Sequence, residues 1–472
     1  MTPSWTLRAD RALPSDPEVR PIAREIYTTI ADLPIRSMHG HVDVTVLARD
    51  EAFGNPAEVL VTPDHYLTRM LVSQGQSLVS LGVLDRATNT KEQDPREIFR
   101  RFAEGWHLFR GTPTKLWMEH VLVEVFGVQE RLSGETADAA YDLISDALKT
   151  DAFRPRALLD RFRITKLATT DGAADSLAHH HRIAEDLGEG RIVPTFRPDP
   201  FLVLDAPGWR TQIHALAEAC GTTVETYAGY ISALEMRREA FIAAGASAVD
   251  IGVTHLDTTP LSDAEASRIF DAALASTVTP QEAAAFCGHM LTEMARMSTE
   301  DGLVMQLHSG ALRSHDPAVR DAFGADVGYD IPIAMEFTRA LQPLLARFGH
   351  HPRFTLILFT LDEDTYSREL APMAGVYPAV KLGAPWWFLD APDAMRRGRE
   401  AVTETAGFYN TTGFVDDTRA FFSIPARHDL SRRIDAGYLA RLVAEHRLEL
   451  DEAIAVAYDL TVTLPQQAYA RK

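Results

Sequence analysis

The chain has 472 residues, of which 46% are hydrophobic, and its formal net charge is −19 at pH 7. A chain of this length can bury a large core, as two domains or as one enlarged barrel with insertions. The acidic balance argues against nucleic acid or an anionic membrane as a partner, because both require clustered Lys and Arg. An anionic small substrate is compatible with this balance if arginines are concentrated locally.

Cysteine usage and the N-terminus bear on the cellular location. Only Cys220 and Cys287 occur, without C-x-x-C spacing, so neither a disulfide framework nor a cysteine-built zinc site is expected. The first residues lack an apolar core followed by a cleavage site, and no 18 apolar residues run together. We therefore expect a cytoplasmic protein without a membrane span. The sequence leaves open whether it forms a homo-oligomer.

The first strand predicted along the chain, Ile35 to Val44, carries a His-x-His motif. Side chains two apart on a strand point the same way, so His39 and His41 can converge on one ion. Two imidazoles suit zinc and similar divalent ions, whereas calcium and magnesium prefer oxygen ligands. The motif alone is weak, since about 0.6 such triplets are expected by chance with this histidine content. A second triplet, His179 to His181, does occur.

Residues 1–54 are interpreted as a surface lead-in followed by this first strand. Residues 55–160 show helical periodicity without a convincing strand, which predicts a helical insertion after the first strand. Residues 161–472 alternate between short apolar runs and longer helical runs. Together these patterns divide the chain into a lead-in, an insertion and the remainder of an α/β domain.

The apolar runs predict seven further strands. They are Ile164 to Thr169, Arg191 to Phe196, Ser247 to Val253, Leu303 to His308, Phe354 to Phe359, Tyr377 to Leu382 and Thr412 to Val415. Strands that are apolar on both faces and separated by helices indicate a parallel sheet, and eight such units favour a closed (β/α)8 TIM-like barrel. A doubly wound open sheet is the competing fold, but no glycine-rich nucleotide-binding motif supports it.

Catalytic groups of such barrels lie at the C-terminal ends of the strands. Polar residues occupy several of these positions: His39, His41, Thr170, Asp171, Arg197, His308, Asp417 and Arg419. A single Asp after a strand more often caps the next helix, as expected for Asp171, and an isolated histidine such as His308 is more often part of a core. The joint occurrence of His-x-His, a mid-barrel histidine and a late Asp instead favours a metal site.

Several longer stretches resemble one family, the uronate isomerases of the amidohydrolase superfamily. They are D-H-Y-L-T-R at 64–69, L-A-T-T-D-G-A-A-D-S-L at 167–177, V-P-T-F-R-P-D at 193–199, Q-L-H-S-G-A-L-R at 306–313, G-A-P-W-W-F at 383–388 and F-V-D-D-T-R-A-F-F-S-I-P-A-R-H-D at 414–429. They span nearly the whole chain in order. The resemblance implies conversion of D-glucuronate to D-fructuronate or of D-galacturonate to D-tagaturonate, with one divalent metal ion, for which zinc is expected.

The resemblance also implies roles for individual residues. His39, His41 and Asp417 match metal ligands, and the positions implied to lie against the sugar acid are His65, Tyr66, Arg197, Arg419, His308 and Trp386. Two departures stand out. Where the family usually has Asp-His-Gly, this chain has Asp250-Ile251-Gly252, so the role of that histidine is lost or taken over by His255, and Ser309 replaces an apolar residue.

Isomerisation of an open-chain uronate requires a carboxylate clamp, a Lewis acid and a base. Arg197 and Arg419 are candidates for the clamp, because the guanidinium fork can donate two parallel hydrogen bonds. The metal would polarise the carbonyl. Asp417 and Tyr66 are candidates for the proton-transferring groups, Tyr66 on the condition that its pKa is lowered. A hydride shift between C2 and C1 remains the alternative step.

Two other functions compete with isomerisation. A mononuclear metal-dependent hydrolase of an anionic small molecule would use the same barrel and histidines to activate water. A non-catalytic sugar-acid binding protein would be expected to lose a metal ligand, yet His39, His41 and Asp417 are all present. Isomerisation is therefore the preferred interpretation.

Overall fold

The computed structural model describes residues 4–472. Its strands are β1 Ile35–Ser37, β2 Ile164–Ala168, β3 Asp171–Gly172, β4 Ile192–Val193, β5 Phe196–Arg197, β6 Ala248–Val253, β7 Val304–Ser309, β8 Ala311–Leu312, β9 Ile331–Pro332, β10 Leu356–Phe359 and β11 Val380–Leu382. All pairs are parallel except the β8–β9 hairpin. The strands predicted near residues 164, 247, 303 and 354 are therefore confirmed to within two residues at each end.

The barrel is built from eight extended segments, here called staves, some of which contain two short strands. Seven of these staves follow one another in chain order. The strands pair as β1-β2-β4 and as β3-β5-β6-β7-β10-β11. Backbone hydrogen bonds from Thr169 to Val193 (3.0 Å) and from Asp171 to Thr195 (3.0 Å) join the two sets. β2 with β3 and β4 with β5 are therefore two continuous, slightly irregular staves.

The eighth stave closes the barrel without regular strand geometry. The Thr412 amide donates to the Leu382 carbonyl (3.0 Å) on one side of this segment. On its other side the His41 amide donates to the Thr418 carbonyl (3.0 Å), and the Asp417 amide donates to His39 (3.3 Å). The strand predicted at 412–415 was wrong as regular secondary structure, because only a few such bonds form on each side. The predicted (β/α)8 architecture is nevertheless present.

The first predicted strand was also too long. β1 ends at Ser37, and a helix already begins at Val44, with the Asp43 carboxylate accepting from the Thr45 amide as an N-cap. The His-x-His motif therefore lies on the extended segment that leaves β1. Such an N-cap satisfies an amide that otherwise has no partner in the first turn, and this favours helix over strand from that point on.

Helices of the lead-in and of residues 55–160 surround β1 and β2. The α-helices are Val19–Ile30, Val44–Arg49, Pro56–Leu60, His65–Val72, Pro95–Glu104, Pro113–His120, Ala137–Leu148 and Pro155–Arg161. Phe99, Phe102 and Leu122 of this region share a buried cluster with Ile35 and Ile164 of the barrel. The boundaries predicted at 54 and 160 stay predictions, since a shared core does not mark a domain border.

The remaining α-helices cover the outside of the barrel and form the C-terminal layer. They are Ala178–Leu187, Asp199–Leu202, Trp209–Cys220, Tyr227–Ala243, Asp263–Leu274, Pro280–Asp301, Pro317–Phe323, Gln342–Phe348, Ala371–Ala374, Pro392–Ala406, Ile424–Ala444, Leu450–Tyr458 and Leu464–Ala468. Met38, Ala248, Val304 and Ile357 fill the barrel interior. Within the described residues, no helix combines the length and apolar character needed to cross a membrane.

Candidate active site

A cleft of about 620 Å³, counting its open mouth, lies at the C-terminal ends of the barrel strands. Its lining contains every residue that the sequence nominated for metal or substrate: His39, His41, His65, Tyr66, Arg197, His308, Trp386, Asp417 and Arg419. These residues come from positions 39 to 419 of the chain, so only barrel closure brings them together. Their proximity makes the cleft the candidate active site.

The two histidines of the motif converge on one carboxylate. The Asp417 Oδ1 atom lies 3.3 Å from His39 Nε2 and 2.9 Å from His41 Nε2. With metal–ligand bonds of about 2.0 Å, tetrahedral ligand atoms are about 3.3 Å apart. The three side chains can therefore accept a divalent ion with little movement. His39 is fully buried, whereas 29% of the His41 side chain is exposed, which leaves access from the cleft.

Asp417 is held in an uncommon backbone conformation. Its φ of 40° is positive, which costs free energy for a residue with a side chain and usually persists only where the surroundings enforce it. Burial alone would raise the pKa of this carboxyl group, but the neighbouring imidazoles of His39 and His41 hold it well below its ordinary value. Asp417 is therefore an ionised acceptor at neutral pH.

A second buried pair stands beside the candidate metal ligands. His308 Nδ1 lies 2.7 Å from Asp250 Oδ1, and the His308 ring stacks on His39 with 4.7 Å between ring centroids. Burial lowers the pKa of His308 despite the carboxylate. Its Nε2 atom is buried and has no hydrogen-bond partner among residues 4–472. His308, unlike an ordinary core histidine, can therefore still bind a ligand group in the cleft.

Two carboxylates orient Arg197. Its Nε atom donates to Asp199 Oδ2 (2.9 Å), and its Nη1 atom lies 3.5 Å from Asp250 Oδ2. Burial would lower the pKa of Arg197, but Asp199 and Asp250 more than compensate and raise it. The guanidinium group is thus a permanently charged donor whose direction is set by its neighbours.

Arg419 faces the carboxylate of Asp326, which lies in the loop region after β7. Asp326 Oδ2 lies 3.5 Å from Arg419 Nη2, and Asp326 Oδ1 lies 3.5 Å from Arg313 Nη1. These separations are long for ion pairs, and 36% of the Arg419 side chain is exposed. Arg419 therefore retains hydrogen-bonding capacity for an anionic ligand.

Neither Tyr66 nor His65 has a pKa that would suit it to act as a base near neutral pH. Burial raises the pKa of the Tyr66 hydroxyl well above its ordinary value, so the condition set for Tyr66 as a base is not met. Burial, assisted by Arg419, lowers the pKa of His65 to about 3. At neutral pH Tyr66 is a phenol that can donate a proton in a hydrogen bond, and His65 is a neutral imidazole.

The departure at Ile251 does not alter the cleft lining. Ile251 is fully buried in the cluster between the barrel and its outer helices, because on β6 it points opposite to Asp250. His255 is exposed and does not line the cleft. It therefore does not take over the position of the family histidine.

Sequence reasoning missed several residues of this cleft. They are Asp64, Asp250 and Asp326. Asp250 was visible as a charged residue within an apolar strand, a pattern that indicates a buried functional or paired carboxylate. Asp326 carried no comparable signal, because its position depends on the path of a long loop.

Arg427 lies underneath the cleft. Its guanidinium group donates to Asp390 Oδ2 (2.7 Å) and stacks over the Trp117 ring at 3.7 Å. It also lies 5.0 Å from the Tyr66 ring centroid. Arg427 therefore supports Tyr66 from below and is itself fully buried.

Thr170 holds the segment between the two candidate metal-ligand histidines. Its Oγ1 atom donates to the Gly40 carbonyl (2.9 Å). We expect Thr170→Val, which keeps the shape but removes the donor, to weaken metal binding about 10- to 100-fold, as loss of a supporting hydrogen bond typically does. Competition with a chromogenic chelator measures this. Thr165→Val is the matched control, since Thr165 donates to Ile35, away from the motif (3.2 Å), and an equal loss in both variants would contradict the assignment.

Asp171 is neither the helix cap expected for it nor part of the cleft. The following helix is preceded by Leu177, which offers no side-chain cap, and Asp171 accepts from Thr169 Oγ1 (2.7 Å) in a separate cavity. Burial raises the pKa of Asp171 to about 6. The folded state therefore binds this proton more tightly than the unfolded state, and stability from this group falls as pH rises from about 4 to about 6.

Asp171→Asn is accordingly expected to stabilise the protein at pH 7. The gain is about 2–3 kcal/mol in the free energy of unfolding and vanishes below about pH 4, where Asp171 is protonated in both states. Urea unfolding across this pH range measures it, with the exposed Asp271→Asn as control. A destabilised variant at pH 7 would show that the ionised carboxylate is favourable.

Comparisons with known proteins give one consistent result. A family model described as glucuronate isomerase matches residues 19–462. The uronate isomerase of Brucella canis is 50% identical over 463 residues, covering 98% of this chain and 99% of the relative. The uronate isomerase of Phenylobacterium zucineum is 50% identical over 469 residues, covering 99% and 98% of the two chains.

Solved structures agree. The glucuronate isomerase from Caulobacter crescentus superposes with a TM-score of 0.96 at 50% identity, covering 98% of this chain and 97% of that one. The uronate isomerase from Thermotoga maritima gives a TM-score of 0.91 at 25% identity, with 98% and 100% covered. The resemblance found in the sequence motifs is thereby confirmed along the whole chain, which belongs to the glucuronate isomerase family.

Proposed function

We propose that this chain interconverts D-glucuronate and D-fructuronate, or D-galacturonate and D-tagaturonate, by proton transfer between C2 and C1. The observation that carries the proposal is the meeting of a His-His-Asp ligand set with two arginines in one cleft. His39, His41 and Asp417 supply the ligand atoms, and Arg197 and Arg419 line the same space. A sugar acid needs both features, an electrophile for its carbonyl and a cation for its carboxylate.

We propose zinc as the ion held by His39, His41 and Asp417. Two imidazole nitrogens and one carboxylate oxygen form a donor set that zinc accepts with a coordination position left for a ligand. When bound there, the ion would supply Lewis-acid stabilisation of the negative charge that develops on the sugar oxygens.

The carboxylate clamp is assigned to Arg419, with Arg197 facing the sugar hydroxyl groups. Of the two arginines, Arg419 has the weaker contact within the protein, because its distance to the Asp326 carboxylate is 3.5 Å. Arg197 already has Asp199 and Asp250 as partners. His308, with its unpartnered Nε2 atom, accepts a hydrogen bond from a sugar hydroxyl, and Trp386 packs against the His308 ring with 4.7 Å between centroids.

The catalytic roles are assigned to Asp417, as the base, and to Tyr66, as a hydrogen-bond donor. In this mechanism the Asp417 carboxylate removes the proton from C2 of the open-chain aldehyde, and after exchange with solvent it delivers a proton to C1. The proton of the C2 hydroxyl moves to the C1 oxygen, so the aldehyde becomes a ketone without a change in overall oxidation state. The Tyr66 phenol stays protonated and donates a hydrogen bond to the developing oxyanion. His65 is neutral and positions the substrate.

The test is an assay of both uronates with metal-stripped and zinc-restored protein, followed by isomerisation in deuterated water. Activity on at least one sugar that returns with zinc, and deuterium at C1 of the ketose, are the expected results. Absence of activity on both sugars would overturn the proposed function. Activity without deuterium incorporation would contradict proton transfer and support a hydride shift between C2 and C1.

We also propose a cytoplasmic location, in keeping with two cysteines that are not joined in a disulfide. Assembly into a homo-oligomer stays a prediction without a structural argument for a particular interface. Cell fractionation and light scattering on the purified protein test these two statements.

A further inference from the structure

A second polar cavity lies at the opposite end of the barrel from the active-site cleft. It encloses about 830 Å³, counting its open side. Its walls include Arg36 of β1, Lys166 of β2, Ser247 just before β6, and Arg471 and Gln466 from the C-terminal segment. All of these lie at or near the N-terminal ends of the strands. The cavity is therefore separated from the metal ligands by the packed barrel interior.

The charges of this cavity are all of one sign. Its lining contains three cationic side chains and, within the described residues, no Asp or Glu. This contrasts with the whole chain, in which 66 acidic residues outnumber 47 basic ones. A local surplus of cations on an acidic protein is the pattern expected of a site for an anion.

Arg36 and Lys166 are direct neighbours on adjacent strands. They are paired in the parallel register of β1 and β2, and both are partly buried. Like charges at such positions destabilise a sheet. Most other arginines of the protein avoid this cost by pairing with a carboxylate or a carbonyl oxygen, as Arg432 does with Ala31 and Leu33.

Lys166 has no compensating anion within the described residues. Burial lowers the pKa of Lys166, and the only charge that acts on it appreciably is Arg36, which lowers the pKa further. A structural role alone does not account for two adjacent, half-buried cations. An anion between them would turn repulsion into attraction.

We propose that Arg36 and Lys166 form a binding site for a small oxyanion of the phosphate class. Arginine offers a planar fork that matches two phosphate oxygens, and lysine offers a compact point charge, a combination typical of phosphate recognition. The Ser247 hydroxyl and the Gln466 amide stand at the same cavity and supply neutral donors. The ligand is either free inorganic phosphate or the phosphate group of a phosphorylated metabolite.

The decisive variant is Lys166→Met, which keeps the length of the aliphatic chain and removes the charge. Thermal unfolding is followed in chloride and in phosphate buffers of equal ionic strength. We expect phosphate to raise the melting temperature of the unaltered protein, because a ligand that binds only the folded state stabilises it. We expect the variant to melt at a higher temperature than the unaltered protein in chloride, and to gain nothing from phosphate.

Calorimetry gives the affinity directly. Phosphate binding should weaken at least tenfold in Lys166→Met and in Arg36→Gln, and remain unchanged in the control Lys149→Met, whose lysine is exposed and pairs with Asp146. A parallel titration with glucose 6-phosphate distinguishes the two sources: tighter binding than phosphate indicates a phosphorylated metabolite, and equal or weaker binding indicates the free ion.

Two outcomes would overturn the proposal. One is an equal response to phosphate in the unaltered protein and in Lys166→Met. The other is destabilisation of Lys166→Met in chloride without any phosphate binding by the unaltered protein, which would make Lys166 a purely structural residue. The measurements do not involve uronates, so they are independent of the outcome for the proposed isomerase activity.

Discussion

Replacement of His41 by asparagine is expected to remove both the bound metal and the isomerase activity. His41 contributes one of the three candidate ligand atoms, and its Nε2 atom lies 2.9 Å from Asp417 Oδ1. Loss of the ion forfeits several kcal/mol of transition-state stabilisation, so kcat/KM should fall by about three orders of magnitude or more. Elemental analysis of the purified variant and a coupled assay with glucuronate and galacturonate measure the two effects.

The chain supplies its own matched control. His179 belongs to the second His-x-His triplet, but it is exposed on the helix Ala178–Leu187, where neighbouring side chains point in different directions. His179→Asn should keep full metal content and activity. Because 29% of the His41 side chain is exposed, the fold should tolerate His41→Asn, and near-normal melting would confirm this. Full activity of a metal-free His41→Asn protein would contradict the assigned metal site.

Arg419→Gln is expected to impair substrate binding more than folding. We assign Arg419 to the uronate carboxylate, and charge-assisted hydrogen bonds to such a group contribute about 1.5–3 kcal/mol. kcat/KM should therefore fall about 10- to 100-fold, mainly through a higher KM. Steady-state kinetics and calorimetry with L-gulonate, the reduced and unreactive form of glucuronate, measure the loss.

Arg320→Gln is the control for this variant. Arg320 lies in the region after β7 and is 57% exposed. Among the carboxylates of the described residues, it pairs only with the neighbouring Asp321. It should bind L-gulonate as the unaltered protein does. If Arg419→Gln bound L-gulonate with normal affinity, the assignment of Arg419 to the carboxylate would be wrong. Arg197 would then be the next candidate.

The regular strands were predictable because their apolar runs are local. β6, β7 and β10 are buried on both faces and flanked by helices, so periodicity alone located them. Strand predictions were wrong where the local apolar pattern and the pairing with neighbouring strands disagreed. Residues 412–415 are as apolar as a strand, yet they bond to their neighbours at too few positions to form one.

The nine nominated site residues were found by motif resemblance and by their positions after predicted strands. Their neighbours Asp64, Asp250 and Asp326 were not nominated, because the role of a carboxylate depends on the groups around it. Of these three, only Asp250 carried a sequence signal, as a charged residue within an apolar strand. Asp250 faces His308 and Arg197, and those contacts join residues more than fifty positions apart. No pattern in a single sequence records such distances.

The sequence by itself determined the class of fold, the family and the identity of the metal-ligand candidates, since these depend on residue type and local periodicity. Only the tertiary structure decided that His39 and His41 meet Asp417, that Tyr66 is buried as a neutral phenol, and that Arg36 stands beside Lys166 in a cavity to which the described residues contribute no Asp or Glu. The reason is physical. Burial and charge set pKa values and binding capacity through distances in space, which the closing of the barrel creates.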